Sequence, residues 1–444
     1  MYVFLSIYAL WVVVQLYIVL RGVNAPQAQW AWIMATLLAP PLVSALYALT
    51  RVGRVPLAAG HGASPVESIV NAGCATHMTE GNRIAMLNGC SAAFAAMIGD
   101  MQRARVSIHV EFYILEADRI GLTILSLLRR RSRAGVSVKV LCDAYGSRRL
   151  SRRLIDSLRG DGVDIRFDTP VGRSWTSSAV HCRNHRKMVI VDSRTAHVGG
   201  INIANRYLDG DSMGHWYDEQ VRLIGPAVAD VERLFAADWL RVSGEHLPAI
   251  GRMGLRPDIV SGSTKMQVAW SEPGVSRSTI ADAMAAMIAC ARVSLHIVTP
   301  YFMPPPWLMD SLRRAALSGV RVRLLLPQQC DSRIVCRIAH SYVAECVVAG
   351  IEVEIYEGGF LHSKLMVADS RHVMVGSANL DYRSMEYNRE VMAVIDDKRM
   401  AREYVGRFER MCGNARRITA DDIASGRWRC GVGEHLARLL APLL

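Results

Sequence analysis

Hydrophobic side chains fall into two kinds of run along this chain. Near the N-terminus they are unbroken. Met1 to Leu20 carry no charged side chain, Arg21 interrupts, and a second uncharged stretch follows from Gly22 to Thr50, densest in apolar residues from Trp30 onward. Twenty residues of helix rise about 30 Å, enough to span the hydrocarbon of a bilayer, so the pattern predicts two transmembrane helices, a hairpin, over residues 1–54. Pro40 and Pro41 should kink the second helix, and Trp30, Trp32 and Tyr47 near its ends suit the aromatic belt of a membrane interface. The first run is too long for the apolar core of a cleaved signal peptide and has no basic start. Arg51 and Arg54 against the single Arg21 orient the hairpin with both ends in the cytoplasm. Residues 55–80, rich in Gly, Ala, Ser and His, read as a linker.

Beyond the linker the runs are short, and the chain repeats itself. Ala104-Arg-Val-Ser-Ile-His109 returns as Ala291-Arg-Val-Ser-Leu-His296, each opening a strand-like run. Helical stretches follow at Leu122 to Arg133 and Trp307 to Leu317. Second strands follow at Val136 to Cys142 and Val320 to Leu326, then further helices and third strands at Val163 to Phe167 and Ile351 to Ile355. Strands alternating with helices predict an α/β fold of two tandem repeats, 81–255 and 256–444, related by pseudo-two-fold symmetry, each with a largely parallel sheet. Ligands in such folds sit where loops converge at strand ends.

The third strand of each copy leads into a motif. Copy one reads His185-Arg-Lys187-Met-Val-Ile-Val-Asp192, then Gly199 and Asn202; copy two reads His362-Ser-Lys364-Leu-Met-Val-Ala-Asp369, then Gly376, Ser377 and Asn379. From each His, the Lys stands at +2, the Asp at +7, the Gly at +14 and the Asn at +17. Residues i and i+2 of a strand share a face, so each His lies beside its Lys. Two such clusters facing each other would surround one tetrahedral anion with two imidazoles, two ammoniums and two amides. That is a phosphate site with an attacking group on one side and a proton donor on the other. One isolated match would more often be a core or loop histidine; two at identical offsets favour function. Each imidazole needs a carboxylate to set its tautomer. Asp218, downstream of His185, and Glu390, downstream of His362, are the candidates. Asp192 and Asp369 end their strands and read as structural caps of the following turn.

Composition narrows the picture further. A hydrophobic content of 51% suits a membrane segment added to a globular body. The net charge of +12 suits nucleic acid or anionic headgroups, and charge alone does not choose. The charge run Arg129 to Arg133 reads as a solvated helix end. The ten cysteines are scattered, with no C-x-x-C pair, which implies free thiols in a reducing compartment. His181 and His185 have the spacing of two ligands on a helix but lie where loop meets strand, so no metal site is expected. No cofactor is expected either, because the lysines and amides supply the positive charge.

The paired motifs resemble the HKD motifs of the phospholipase D superfamily, and several blocks look specifically like bacterial cardiolipin synthases: Trp30 through Tyr47, Asn88-Gly89, Asp143-Ala-Tyr-Gly146-Ser147, Thr299-Pro-Tyr-Phe302, Gly376 through Ser384, and the chain end Leu439 to Leu444. The resemblance covers essentially the whole chain. Two positions depart from it: Ser193 stands where a Gly usually follows the first motif Asp, and Glu111 where the first strand more often carries another residue. The resemblance implies two α/β halves sharing one site, with His185 as nucleophile forming a phosphohistidine and His362 as general acid. Lys187, Lys364, Asp192 and Asp369 complete the motifs, while Asn202, Asn379 and Ser377 serve the phosphate. The implied reaction moves a phosphatidyl group between two phosphatidylglycerol molecules at the inner membrane, with the body cytoplasmic and anionic lipid as partner. A hydrolytic phospholipase D or another phosphatidyltransferase shares the same catalytic types. A nuclease gains nothing from a membrane hairpin, so nucleic acid is not an expected substrate.

Overall fold

A computed structural model describes residues 2–21, 32–37, 60–87, 89–168, 182–247, 262–272, 278–428, 431–438 and 441. The repeat seen in the sequence becomes a repeat in space. The first half contributes β1 (Thr79–Leu87), β2 (Ser107–Phe112), β3 (Ser137–Asp143), β4 (Asp164–Asp168), β5 (Lys187–Val191), β6 (Thr195–Gly199), β7 (Trp216–Tyr217) and β8 (Gln220–Ile224). The second contributes β9 (Thr264–Ser271), β10 (Ser294–Val298), β11 (Phe302–Met303), β12 (Arg321–Pro327), β13 (Glu352–Tyr356), β14 (Phe360–Leu361), β15 (Leu365–Ala368), β16 (His372–Gly376), β17 (Leu380–Asp381), β18 (Glu390–Asp396) and β19 (Ala415–Ile418).

Fifteen of these strands form one sheet, in the order β19-β13-β12-β10-β15-β16-β18-β9-β1-β8-β6-β5-β2-β3-β4. The halves meet where β1 pairs antiparallel with β9. Outward from that joint the order is the same on both sides, with β19 added at the second edge. The expectation of largely parallel sheets is corrected. Within the fifteen-stranded sheet only β2-β3-β4 and β10-β12-β13 run parallel. Helical crossovers such as Arg119–Arg133 and Pro306–Leu317 return the chain in the same direction there. The motif strands β5 and β15 instead fold back through tight turns and pair antiparallel on both sides.

Helix starts follow side-chain caps. Asp118 accepts from Gly121 N at 3.0 Å ahead of Arg119–Arg133, whose Ile124, Leu125 and Leu128 are buried. Phe235 and Trp239 of the helix Val228–Ser243 and Tyr404 and Phe408 of the helix Lys398–Cys412 share one apolar cluster with strands of both halves, among them β5, β8, β15 and β18, so the joint has a common core.

The segment read as linker contains structure. Pro65–Cys74 is a helix capped by Ser64, with Val70 and Cys74 buried against Ile280, Met284 and Met287. Thr76 Oγ donates to Val268 O at 3.0 Å, so the chain packs on its second half before entering its first. Its small residues allow that close packing: a Cβ on Gly73 would lie 1.9 Å from Thr279 Oγ. At the N-terminus Tyr2–Arg21 is helical, as are residues 32–37. Among the described residues no helix is long and apolar enough to cross a membrane. The turn and most of the second arm of the expected hairpin, residues 22–31 and 38–54, lie outside the described residues.

Candidate active site

The two motifs begin with the same local architecture. Asp192 Oδ1 accepts from the backbone N of Val106 (2.7 Å) and Ser107 (2.9 Å), and Oδ2 from Arg105 N (2.8 Å). Asp369 does the same for Arg292 (2.9 Å), Val293 (2.7 Å) and Ser294 (3.0 Å). The repeated Ala-Arg-Val-Ser segments and the motif aspartates are thus two ends of one contact, holding β2 against β5 and β10 against β15. Asp192 and Ser193 adopt φ of 52° and 50°, and Arg194 N closes the turn onto Val191 O at 3.0 Å; Asp369, Ser370 and Arg371 repeat it. The +14 glycines serve close packing: a Cβ on Gly199 or Gly376 would lie 2.3 or 2.2 Å from the carbonyl oxygen of Glu219 or Val391.

The histidines are oriented across the joint, not within their own halves. Asn184 bridges Arg389 in parallel register, and His185 N donates to Arg389 O at 2.9 Å. The next residue on the facing strand is Glu390, whose Oε1 lies 2.9 Å from His185 Nδ1. Likewise β14 pairs parallel with β7, matching Phe360 to Trp216 and Leu361 to Tyr217. This sets His362 Nδ1 2.6 Å from Asp218 Oδ2. Both expected carboxylates are in place, but each serves the histidine of the opposite half, which corrects the pairing read from sequence order. The physical reason is the pair of short parallel bridges, a non-local contact with no periodic signal.

Lys187 and Lys364 are fully buried, with Nζ of Lys187 donating to His185 O at 2.5 Å and Nζ of Lys364 2.9 Å from His362 Nδ1. Ser377 Oγ donates to Glu390 Oε2 at 2.5 Å. The asparagines are engaged with protein groups. Asn202 takes Ile114 N at 3.0 Å and gives its amide to Tyr207 OH at 2.8 Å; Asn379 gives its amide to Asp381 at 3.1 Å. Several participants had no motif signal. Tyr207 OH lies 3.4 Å from His362 Nδ1, and Tyr113 and Tyr301 set their rings edge-on to His185 and His362. Ser384 (2.9 Å) and Asn388 (3.2 Å) add donors to Glu390 Oε1. Arg186, between the motif His and Lys, is wholly buried and ties the halves together. It reaches Asp238, Ser271 O (2.8 Å), Glu272 (2.6 Å) and Glu390 O (3.3 Å). Glu111, one of the two departures, has no exposed surface and accepts from Asn184 at 2.7 Å, behind the histidines.

The two pairs differ electrically. Burial lowers His185 to about 4, against the pull of Glu390. Burial and then Lys364 hold His362 well below its usual value. Burial would raise Glu390, but His185, Lys187 and Ser377 outweigh it and hold that carboxyl low. Asp218 has weaker support and burial raises it to about 7. Burial also lowers Lys187, and brings Lys364 to about 8. One dyad therefore carries an ionised carboxylate, and the other a proton near neutrality.

A family model described as "Cardiolipin synthase, PLD-like domain" matches residues 97–239 and 284–412, more than half of the chain and all eleven of the expected site residues. The chain belongs to that family. The cardiolipin synthase family members it resembles include "Cardiolipin synthase 2" of Bacillus anthracis, 37% identical over 354 residues (79% of this chain, 68% of the relative). Another is a cardiolipin synthase of Geobacillus kaustophilus, 34% identical over 371 residues (82% and 72%). The fold is shared with the crystal structure of a phosphatidylserine synthase from Haemophilus influenzae Rd KW20, at a TM-score of 0.62 and 16% identity, covering 90% of this chain and 99% of that one.

Proposed function

We propose that this member of the cardiolipin synthase family transfers a phosphatidyl group from one phosphatidylglycerol to the terminal hydroxyl of another, releasing glycerol. The observation that carries the reading is the crossed pair of histidine–carboxylate dyads, built from both halves and electrically unequal. With Nδ1 held by a carboxylate, each imidazole is left with Nε2 for chemistry. At neutral pH His185 is unprotonated, and ionised Glu390 favours the positive charge it gains on attack. That suits the nucleophile: Nε2 bonds to phosphorus and the bond to the glycerol oxygen breaks. Asp218, raised to about 7, keeps a proton within the other dyad. That suits the acid: His362 delivers it to the departing glycerol. The neutral His362 then takes the proton of the incoming hydroxyl, which attacks phosphorus and frees His185. Lys187 and Lys364 stabilise the charge on the non-bridging oxygens, with Asn202, Asn379 and Ser377 fixing the groups around them.

Residues 1–54 are proposed as the bilayer anchor, with the body on the cytoplasmic side of a bacterial inner membrane. Ile7, Leu10, Val13 and Tyr17 of the N-terminal helix are each more than half exposed, an apolar surface that lipid would cover. The test is to supply purified protein with phosphatidylglycerol vesicles and identify the products. Cardiolipin with free glycerol is expected. Phosphatidic acid with glycerol would overturn transfer in favour of hydrolysis, and no lipid product would overturn both.

A further inference from the structure

Two thiols and an imidazole meet at the edge of the catalytic cluster, where β12 passes into the helix Arg333–Ser341. Ser332 caps that helix, its Oγ accepting from Val335 N at 3.5 Å. Cys330 precedes the cap and Cys336 lies one turn inside, close to the spacing at which residues on either side of a cap pack together. Both are about nine-tenths buried and sit in one apolar cluster with Tyr207, Trp216 and Phe360. Cys330 Sγ lies 3.7 Å from Pro300 O, and Cys336 Sγ 3.5 Å from Gln328 O and 3.8 Å from His340 Nε2. The neighbouring Asp331, Arg333 and Ile334 are exposed, so the pair lies just under the surface.

Burial raises most of the described thiols. Burial pushes Cys74 and Cys142 up to about 12. Cys336 moves the opposite way: a hydrogen bond from Cys330, joined by His340, outweighs its burial and favours the thiolate. The pair also connects to the catalytic site. Asp331, next to Cys330, accepts from Tyr301 OH at 2.6 Å, and the Tyr301 ring stands edge-on to His362 with centroids 6.3 Å apart.

We infer that Cys330 and Cys336 form a reactive dithiol site for a small peroxide oxidant, closing to a disulfide that draws Asp331 away from Tyr301 beside His362. The Cys336 sulfur attacks one peroxide oxygen; an S–O bond forms, the O–O bond breaks, and hydroxide takes the thiol proton to leave as water. The Cys330 sulfur then attacks that sulfenic sulfur; the S–S bond forms, the S–O bond breaks, and a second water leaves. Two thiols are oxidised and one peroxide is reduced. The effect on turnover rests on the proposed phosphatidyl transfer; the cross-link does not.

The test uses the full chain in phosphatidylglycerol vesicles, titrated with hydrogen peroxide, alkylated and mapped by peptide mass spectrometry without reduction. A Cys330–Cys336 cross-link is expected before the exposed Cys290 is oxidised, with cardiolipin formation falling severalfold and dithiothreitol restoring it. Cys336→Ser and Cys330→Ser, neither of which can form the cross-link, should both keep their activity through the same titration. A map in which Cys290 is oxidised while Cys330 and Cys336 stay reduced would overturn the site. Equal peroxide sensitivity in Cys336→Ser and the parent would overturn its link to turnover. A protein that forms the cross-link but makes no lipid product leaves the dithiol standing and removes the proposed function instead.

Discussion

His185 and His362 have the same neighbours by type and different ones by strength. Glu390 is held by three side-chain donors besides His185, namely Ser377, Ser384 and Asn388, whereas Asp218 has Glu219 N at 2.7 Å besides His362. A nucleophile cannot be bypassed, but a general acid can when the leaving group needs no proton. His185→Ala and His362→Ala should each lower cardiolipin formation by at least about 10²-fold. A phosphatidyl ester of p-nitrophenol should restore release in His362→Ala and not in His185→Ala; the opposite pattern would exchange the two roles. The pH profile of kcat/KM should be a bell. Protonation of His185 removes activity only toward about pH 4, and loss of the dyad proton on Asp218 and His362 removes it above about pH 7. An acid limb at the free histidine value of about 6.5 would contradict the burial of His185. Its depressed value also makes folding less favourable as pH falls from about 6.5 toward 4, because the unfolded chain takes up a proton that the native imidazole resists.

Among the elements, the β5–β6 and β15–β16 turns carry the motif aspartates. Asp192→Ala strands the backbone donors of Arg105, Val106 and Ser107, of which the buried Ser107 N, left unsatisfied, should cost about 1–3 kcal/mol. Thermal unfolding should register this, since the backbone donors occupy the Asp192 carboxylate. Ser193→Gly should instead stabilise, by up to about 1 kcal/mol, since glycine accepts a φ of 50° without strain; a loss of stability would refute the account of that turn. Much at this level was legible beforehand. The Ala-Arg-Val-Ser repeats and the motif strands follow from spacing and alternation alone; the motif aspartates, read as caps of the following turn, instead hold the backbone at the start of β2 and β10. The helix Pro65–Cys74 was not: the Gly, Ala and Ser of the surrounding segment imitate a linker, and small residues such as Gly73 let it pack closely on the second half.

For the molecule as a whole, fifteen strands run through the joint without interruption, and neither motif histidine, His185 or His362, takes its carboxylate from its own half. The residue types of the site could be read from the sequence, but not which carboxylate meets which histidine. That pairing depends on short parallel bridges, of one and two residue pairs, between segments more than a hundred residues apart, far beyond any local pattern. Double-mutant cycles can measure it. His185→Ala and Glu390→Gln should be strongly non-additive in kcat/KM, whereas His185→Ala and Asp218→Asn, closer in sequence, should approach additivity. Stronger coupling of the sequence-near pair would contradict the crossing.

The crossing also bears on ancestry. Two identical copies of one half, associating about a two-fold axis, would build the same two dyads, each histidine borrowing its acid from the partner. A single-half ancestor would therefore have worked only as a dimer, and its two sites could not have specialised, because any change in one occurred in both. Joining the copies in one chain removed that constraint: Glu390 and Asp218 could settle at different acidities, and two equivalent histidines could become an attacker and a proton donor.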